Sequence, residues 1–225
     1  MSAGCKAPSP GTLMDAIELL KDARIVPVVV LDDPDSAVAL AEALVGAGLR
    51  FVEITLRTPK ALPVIERIAA DVPDAIVGAG SVRTPLQFAA IRNAGARFAV
   101  SPGFSEQLND AARQHAMPFV PGAATASEVL TLQEHGYTLM KFFPAELAGG
   151  TDMLKALGAP LPEARFFPTG GITPALAPDY LRLTNVRCIG GSWITPPDLL
   201  AAGDFRAIAD IARAAASLAG GASQV

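Results

Sequence analysis

Short runs of apolar and β-branched residues punctuate this chain at regular intervals, separated by Ala- and Leu-rich stretches with helical spacing. The runs read as strands at 24–30, 51–56, 76–82, 97–102, 118–123, 138–145, 165–172 and 186–193. The stretches between them, such as 36–45, 59–70 and 126–134, read as helices. Thr58-Pro59, Thr84-Pro85, Thr125 and Thr173-Pro174 are expected helix starts, because a hydroxyl can cap the first turn and proline fits its first position. Gly46, Gly48, Gly95 and Gly136 are expected helix ends.

Eight alternating β and α units predict a parallel sheet with crossover helices, closed into a (β/α)8 TIM barrel. A doubly wound open sheet would place a glycine-rich loop after its first strand. Here that strand runs into Leu31-Asp32-Asp33-Pro34, without glycine. No linker divides the chain. Residues 1–225 are therefore expected to form one domain, with a loose tail at about 1–12 and a frayed end at about 218–225.

Side chains alternate across a strand, so residues two apart share a face. In the second strand Val52, Ile54 and Leu56 suit packing on helices, and Glu53, Thr55 and Arg57 would line the barrel interior. Glu53 is the one acidic residue within any expected strand. A buried carboxylate needs a partner, and Arg57 farther along the same face is a candidate. In the sixth strand Leu139, Lys141 and Phe143 share a face.

The chain has five lysines, Lys6, Lys21, Lys60, Lys141 and Lys155, and Lys141 alone sits in an apolar run. An amine enclosed by apolar groups is driven toward its neutral form, which can attack a ketone. The same pattern also fits a lysine that snorkels to water, and Glu53 with Arg57 also fits a structural ion pair. If both faces point inward, one cavity holds an amine, a carboxylate and a guanidinium. Ser81 either adds a hydrogen bond there or packs beside Gly78 and Gly80 as a small residue. Strands seven and eight end in the pairs Gly170-Gly171 and Gly190-Gly191, the latter followed by Ser192. Barrel enzymes often bind phosphate at these two loops, although turns also use glycine freely.

Composition narrows the reading. Hydrophobic residues make up 51% and charged ones 18%, which suits strands buried on both faces. The net charge is −4 and no basic cluster exists, which argues against nucleic acid. An anionic substrate would be held by local dipoles and a few arginines. No apolar run reaches the roughly 18 residues that span a bilayer, and no basic-then-apolar leader opens the chain. A cytoplasmic protein is expected. Cys5 and Cys188 do not make a disulfide framework, and Cys188 reads as a packed hydrophobe. His115 and His135 fall near helix ends and form no metal-ligand cluster. No cofactor is expected.

The segments 53–57 (EITLR), 77–82 (VGAGSV), 141–145 (KFFPA), 168–172 (PTGGI) and 188–193 (CIGGSW) resemble the KDPG (2-dehydro-3-deoxy-6-phosphogluconate) aldolase family. The likeness runs from about residue 14 to about residue 215. It implies a class I aldolase of the Entner–Doudoroff pathway, yielding pyruvate and glyceraldehyde 3-phosphate without a metal, in a homotrimer. It also implies a Schiff base on Lys141, proton transfer by Glu53, and the pyruvate carboxylate near Arg57 and Ser81. Phe143 would pack beside the imine and Pro102 would stand at the pocket edge. Gly170, Gly171, Gly190, Gly191 and Ser192 would hold the phosphate. The family pattern has threonine where this chain has Ser81, so the hydroxyl is kept. Members also act on 4-hydroxy-2-oxoglutarate, and a sister group prefers the galactonate epimer. Another phosphate-binding barrel enzyme, such as an epimerase or decarboxylase, is the remaining alternative.

Overall fold

The computed structural model describes residues 16–220. Eight parallel strands form the centre: β1 (Ile25–Val29), β2 (Phe51–Thr55), β3 (Ile76–Gly80), β4 (Ala99–Val100), β5 (Phe119–Val120), β6 (Leu139–Phe142), β7 (Arg165–Pro168) and β8 (Ile189–Gly191). Six of them pair in the order β5-β4-β3-β2-β1-β8, and β6 pairs with β7. Parallel bridges Gly122↔Lys141 and Thr169↔Gly190 close the two remaining seams, so the sheet is a ring. Each strand lies inside its expected run but is shorter, because the residues past its C-terminal end turn into the loops of the barrel mouth.

Ten helices lie among the described residues: α1 (Ala16–Leu19), α2 (Ala37–Gly46), α3 (Ala61–Asp71), α4 (Pro85–Asn93), α5 (Glu106–Gln114), α6 (Ala126–Glu134), α7 (Gly150–Gly158), α8 (Ala177–Leu181), α9 (Pro197–Ala202) and α10 (Phe205–Gly220). The strand period of two divides the apolar residues into two cores. Val26, Phe51, Phe98, Val100, Val120, Leu139, Phe167 and Cys188 fill the barrel interior together with Ala16, Leu20 and Ala23, so α1 and the turn after it plug the N-terminal end. Ile25, Val29, Val52, Ile54, Met140, Phe142, Phe166 and Ile189 face outward into the layer under the helices. Ile54 is fully buried there, and truncating such a side chain to alanine costs about 2–5 kcal/mol.

Local capping explains where most helices begin. Pro85 opens α4, and Gln87 Oε1 accepts from Thr84 N at 3.0 Å. Thr125 Oγ1 accepts from Glu128 N at 3.3 Å, and Glu128 Oε2 accepts from Thr125 N at 2.9 Å, a reciprocal box at the start of α6. Two expected starts differ. Thr58-Pro59 does not cap α3, which begins at Ala61; the Thr58 hydroxyl donates to Leu31 O at 3.0 Å instead. Thr173-Pro174 opens a turn, and α8 starts only at Ala177. Residues 218–220 belong to α10. The expected tail at about 1–12, residues 221–225, Cys5 and Lys6 lie outside the described residues.

Among the described residues no helix is long and apolar enough to cross a membrane, and no group of three or more His, Cys, Asp or Glu could hold a metal ion. Cys188 is fully buried, and that burial pushes its thiol well above the ordinary range.

Candidate active site

Glu53 occupies the middle of β2 on the interior face and is completely buried. Lys141 is the third residue of β6, between Met140 and Phe142, which point to the outer layer. The two-residue period therefore sends the lysine into the barrel. Its Nζ lies 3.3 Å from Glu53 Oε1 and 5.5 Å from the centre of the Phe143 ring. Lys141 is 6% exposed, whereas Lys21, Lys60 and Lys155 are exposed on the surface. The snorkelling alternative is thereby removed.

The partner of the Glu53 carboxylate is Lys141, not Arg57. Arg57 lies beyond the end of β2 in a turn, is exposed, and makes no salt bridge among the described residues. The expected trio is thus a buried amine–carboxylate pair with a guanidinium at the rim, free to meet a ligand. Glu53 Oε2 is buried and has no hydrogen-bond partner among the described residues. A buried acceptor left unmet costs stability, and such exceptions concentrate where a site does chemistry.

The loops after β3 and β4 complete the rim. Ser81 holds a left-handed backbone conformation at φ +57°, strained for a residue with a side chain by about 1–3 kcal/mol. Its hydroxyl makes no hydrogen bond among the described residues. Pro102 is exposed after β4 and packs its backbone onto Gly122, where an added Cβ would lie 2.3 Å from the Pro102 carbonyl. Gly122 in turn bridges to Lys141, so Pro102 stands beside the lysine strand.

The two glycine pairs differ. Gly170 and Gly171 hold left-handed conformations, at φ +101° and +82°, at the accessible end of β7. Ser192 is exposed and opens a short 3-10 turn after β8. Gly190 and Gly191 are buried. A Cβ at Gly190 would lie 2.2 Å from Thr169 Cγ2, and one at Gly191 would lie 2.5 Å from the Trp193 ring. Both positions therefore require glycine for packing, while Gly170, Gly171 and Ser192 are the more accessible part of this end.

Below that surface the β6–α7 loop is pinned. The Tyr180 hydroxyl donates to the Glu146 carboxylate, and Glu146 N donates to Gly170 O at 3.1 Å. Burial first, and the neighbouring carboxylate second, push the Tyr180 hydroxyl well above its usual range.

One further interior residue escaped the sequence reading. Thr169 is 3% exposed, and its Oγ1 is another buried oxygen without a hydrogen-bond partner among the described residues. Phe167 points into the barrel, so the strand period alone places Thr169 on the same side.

A nucleophilic amine within hydrogen-bond reach of a carboxylate, both shielded from water, is a constellation for imine chemistry with proton transfer. Relatives carry the same architecture. A family model for KDPG and KHG aldolase matches residues 16–211. The KHG/KDPG aldolase of Escherichia coli (strain K12) is 48% identical over 200 residues, spanning 89% of this chain and 94% of that protein. The KDPG aldolase of Legionella pneumophila, solved with pyruvate captured at low pH as a covalent carbinolamine, superposes with TM-score 0.86 at 40% identity over 89% of this chain and 98% of that one. The 2-keto-3-deoxy-6-phosphogluconate aldolase of Zymomonas mobilis ZM4, solved with 3-phosphoglycerate, gives TM-score 0.86 at 38% identity over 92% and 97%. With the closed parallel barrel, the buried lysine and this extent of likeness, the chain belongs to the KDPG and KHG aldolase family.

Proposed function

We propose that the protein is a class I aldolase that cleaves 2-dehydro-3-deoxy-6-phosphogluconate to pyruvate and glyceraldehyde 3-phosphate through a Schiff base on Lys141. The observation that carries this reading is the buried contact of Lys141 Nζ with Glu53 Oε1 at 3.3 Å. Neutral Lys141 attacks the C2 carbonyl carbon to form a carbinolamine, and loss of water gives an iminium. The iminium draws in the electron pair of the C3–C4 bond as it breaks, leaving an enamine of pyruvate. Glu53 takes the proton of the C4 hydroxyl, directly or through a water, as that carbon becomes the aldehyde. The enamine then takes a proton at C3 and water releases pyruvate, with Glu53 returning the proton.

The rim residues take supporting parts in this reading. Arg57 grips the C1 carboxylate with its two-pronged guanidinium, and the unengaged Ser81 hydroxyl adds a donor. The Phe143 ring, 5.5 Å from Nζ, shields the imine and favours its positive charge. Pro102 borders the pyruvate end. Gly170, Gly171, Gly190, Gly191 and Ser192 line the phosphate end, where backbone without side chains can approach the anion. The Legionella relative holds covalent pyruvate and the Zymomonas relative holds 3-phosphoglycerate, which supports a site with a keto-acid end and a phosphate end. A homotrimer in the cytoplasm belongs to the same proposal.

The test is to incubate the protein with pyruvate and borohydride and to map the adduct by mass. The expected result is one reduced pyruvate adduct on Lys141. An adduct on another lysine, or none, overturns the reading.

A further inference from the structure

The exit of β2 is tied to the exit of β1 by side chains whose part in the site is not set by the chemistry above. Thr55 Oγ1 donates to Val29 O at 3.0 Å, and Thr58 Oγ1 donates to Leu31 O at 3.0 Å. Asp32 Oδ1, from the same β1 loop, accepts from Lys60 N at 3.3 Å. On the other side Leu56 N donates to Gly80 O at 2.8 Å, which ties the turn to β3. Arg57 lies between these ties, in the turn that follows β2. Its own side chain is exposed and has no salt bridge among the described residues. Its aim therefore depends on the backbone that carries it.

We infer that Thr58 and Asp32 are positioning residues for Arg57, holding its turn against the β1 loop so that the guanidinium meets the substrate carboxylate. The inference rests on the reading of Arg57 given above. Three observations point to it. The Thr58 hydroxyl reaches 27 residues back along the chain instead of capping the helix that follows it. Lys60, at the N-cap of the following helix and without a side-chain capping bond, donates its own backbone N–H to Asp32 of the β1 loop. Leu31, whose carbonyl accepts from Thr58, is 5% exposed, so that carbonyl has little water to replace a lost donor. A displacement of about 1 Å at a positioning group is enough to cost much of its effect.

The test uses pyruvate as the probe and reads half-saturation from borohydride-trapped imine, alongside KM and kcat for cleavage. Thr58→Val keeps the shape and removes the donor. It is expected to raise half-saturating pyruvate and KM about fivefold or more, with kcat within about twofold, while Thr58→Ser stays near the parent. The decisive comparison repeats Thr58→Val in an Arg57→Ala background, where it is expected to change half-saturation by less than about twofold. Unchanged pyruvate half-saturation in Thr58→Val overturns the inference. So does an equal rise with and without Arg57, which would mean that the tie serves the barrel mouth in general. If Arg57→Ala itself leaves half-saturation unchanged, the carboxylate reading of Arg57 fails and the inference falls with it. Should Thr58→Val fold poorly, Asp32→Ala on the exposed loop puts the same comparison, with the same expected loss of effect once Arg57 is gone.

Discussion

Gly80 packs its backbone directly against the carboxylate of Glu53: a Cβ added at Gly80 would lie 2.0 Å from Oε1 and 2.7 Å from Cδ. Across the same face of β3, a Cβ at Gly78 would lie 2.3 Å from the Phe98 ring. Two glycines in one strand thus clear space for two different neighbours, one reactive and one structural.

That difference predicts a separation of effects. Gly80→Ala should displace the Glu53 carboxylate from Lys141 and lower kcat by about tenfold or more, the scale of losing a positioned proton-transfer group. Gly78→Ala should overpack the barrel and cost about 1–3 kcal/mol of stability while leaving kcat comparatively intact. Steady-state kinetics and denaturant midpoints on both variants check this. Equal loss of kcat in the two would refute it.

Glu53→Gln keeps the size of the side chain and removes its capacity to take a proton. Cleavage should fall by about 10²–10⁴-fold, while Lys141 still forms an imine with pyruvate. Borohydride trapping beside turnover measurements separates the two steps. Retention of more than about a tenth of parental turnover would exclude Glu53 as the proton-transfer group.

Arg57→Lys retains the positive charge and loses the fork that fits a carboxylate. Half-saturating pyruvate should rise by about tenfold, and the imine should still form at high pyruvate. Titration of the trapped adduct against pyruvate concentration gives the answer, and an unchanged midpoint would remove Arg57 from the carboxylate site.

Much of this site was legible from the chain because period two is local. Glu53 and Lys141 point inward for the same reason that Val52, Ile54, Met140 and Phe142 point outward. The helix starts at Thr84 and Thr125 were legible because the groups that cap them lie within three residues of each other. What failed was long-range. Thr58 has every local mark of a cap, but its partner Leu31 lies in another loop. Glu53 and Lys141 are 88 residues apart, so the nearer Arg57 looked like the partner. Alternation also ends where the strand ends, which is why Arg57 stands at the rim instead of in the wall. That Gly190 and Gly191 also make room for Thr169 and Trp193 was likewise hidden, because those contacts depend on the folded arrangement of side chains. Thr169 itself was within reach, since Phe167 fixes its parity.

His135 caps the C-terminus of α6, and both of its ring nitrogens face acceptors. Nδ1 lies 2.8 Å from Thr131 O and Nε2 lies 2.9 Å from Glu106 Oε2 on α5. A carbonyl and a carboxylate only accept, so the imidazolium, with hydrogen on both nitrogens, satisfies this site better than either neutral tautomer. The Thr131 carbonyl, then the Glu106 carboxylate, raise the pKa of His135 above its ordinary value, against opposition from slight burial and from Arg113. Arg113 Nη2 donates to His135 O at 2.7 Å, and the Phe104 ring packs against the imidazole, tilted by 59° at 5.0 Å between centres. Because the folded value lies above the unfolded one, the contribution to stability is complete below the unfolded pKa of about 6.5 and disappears as pH rises through the folded value. Denaturant midpoints of the parent and of His135→Gln, measured from about pH 5.5 to about pH 9, should therefore differ most at the acid end and converge at the alkaline end. A difference that stays constant across that range would show that His135 works by packing on Phe104 and not by its charge.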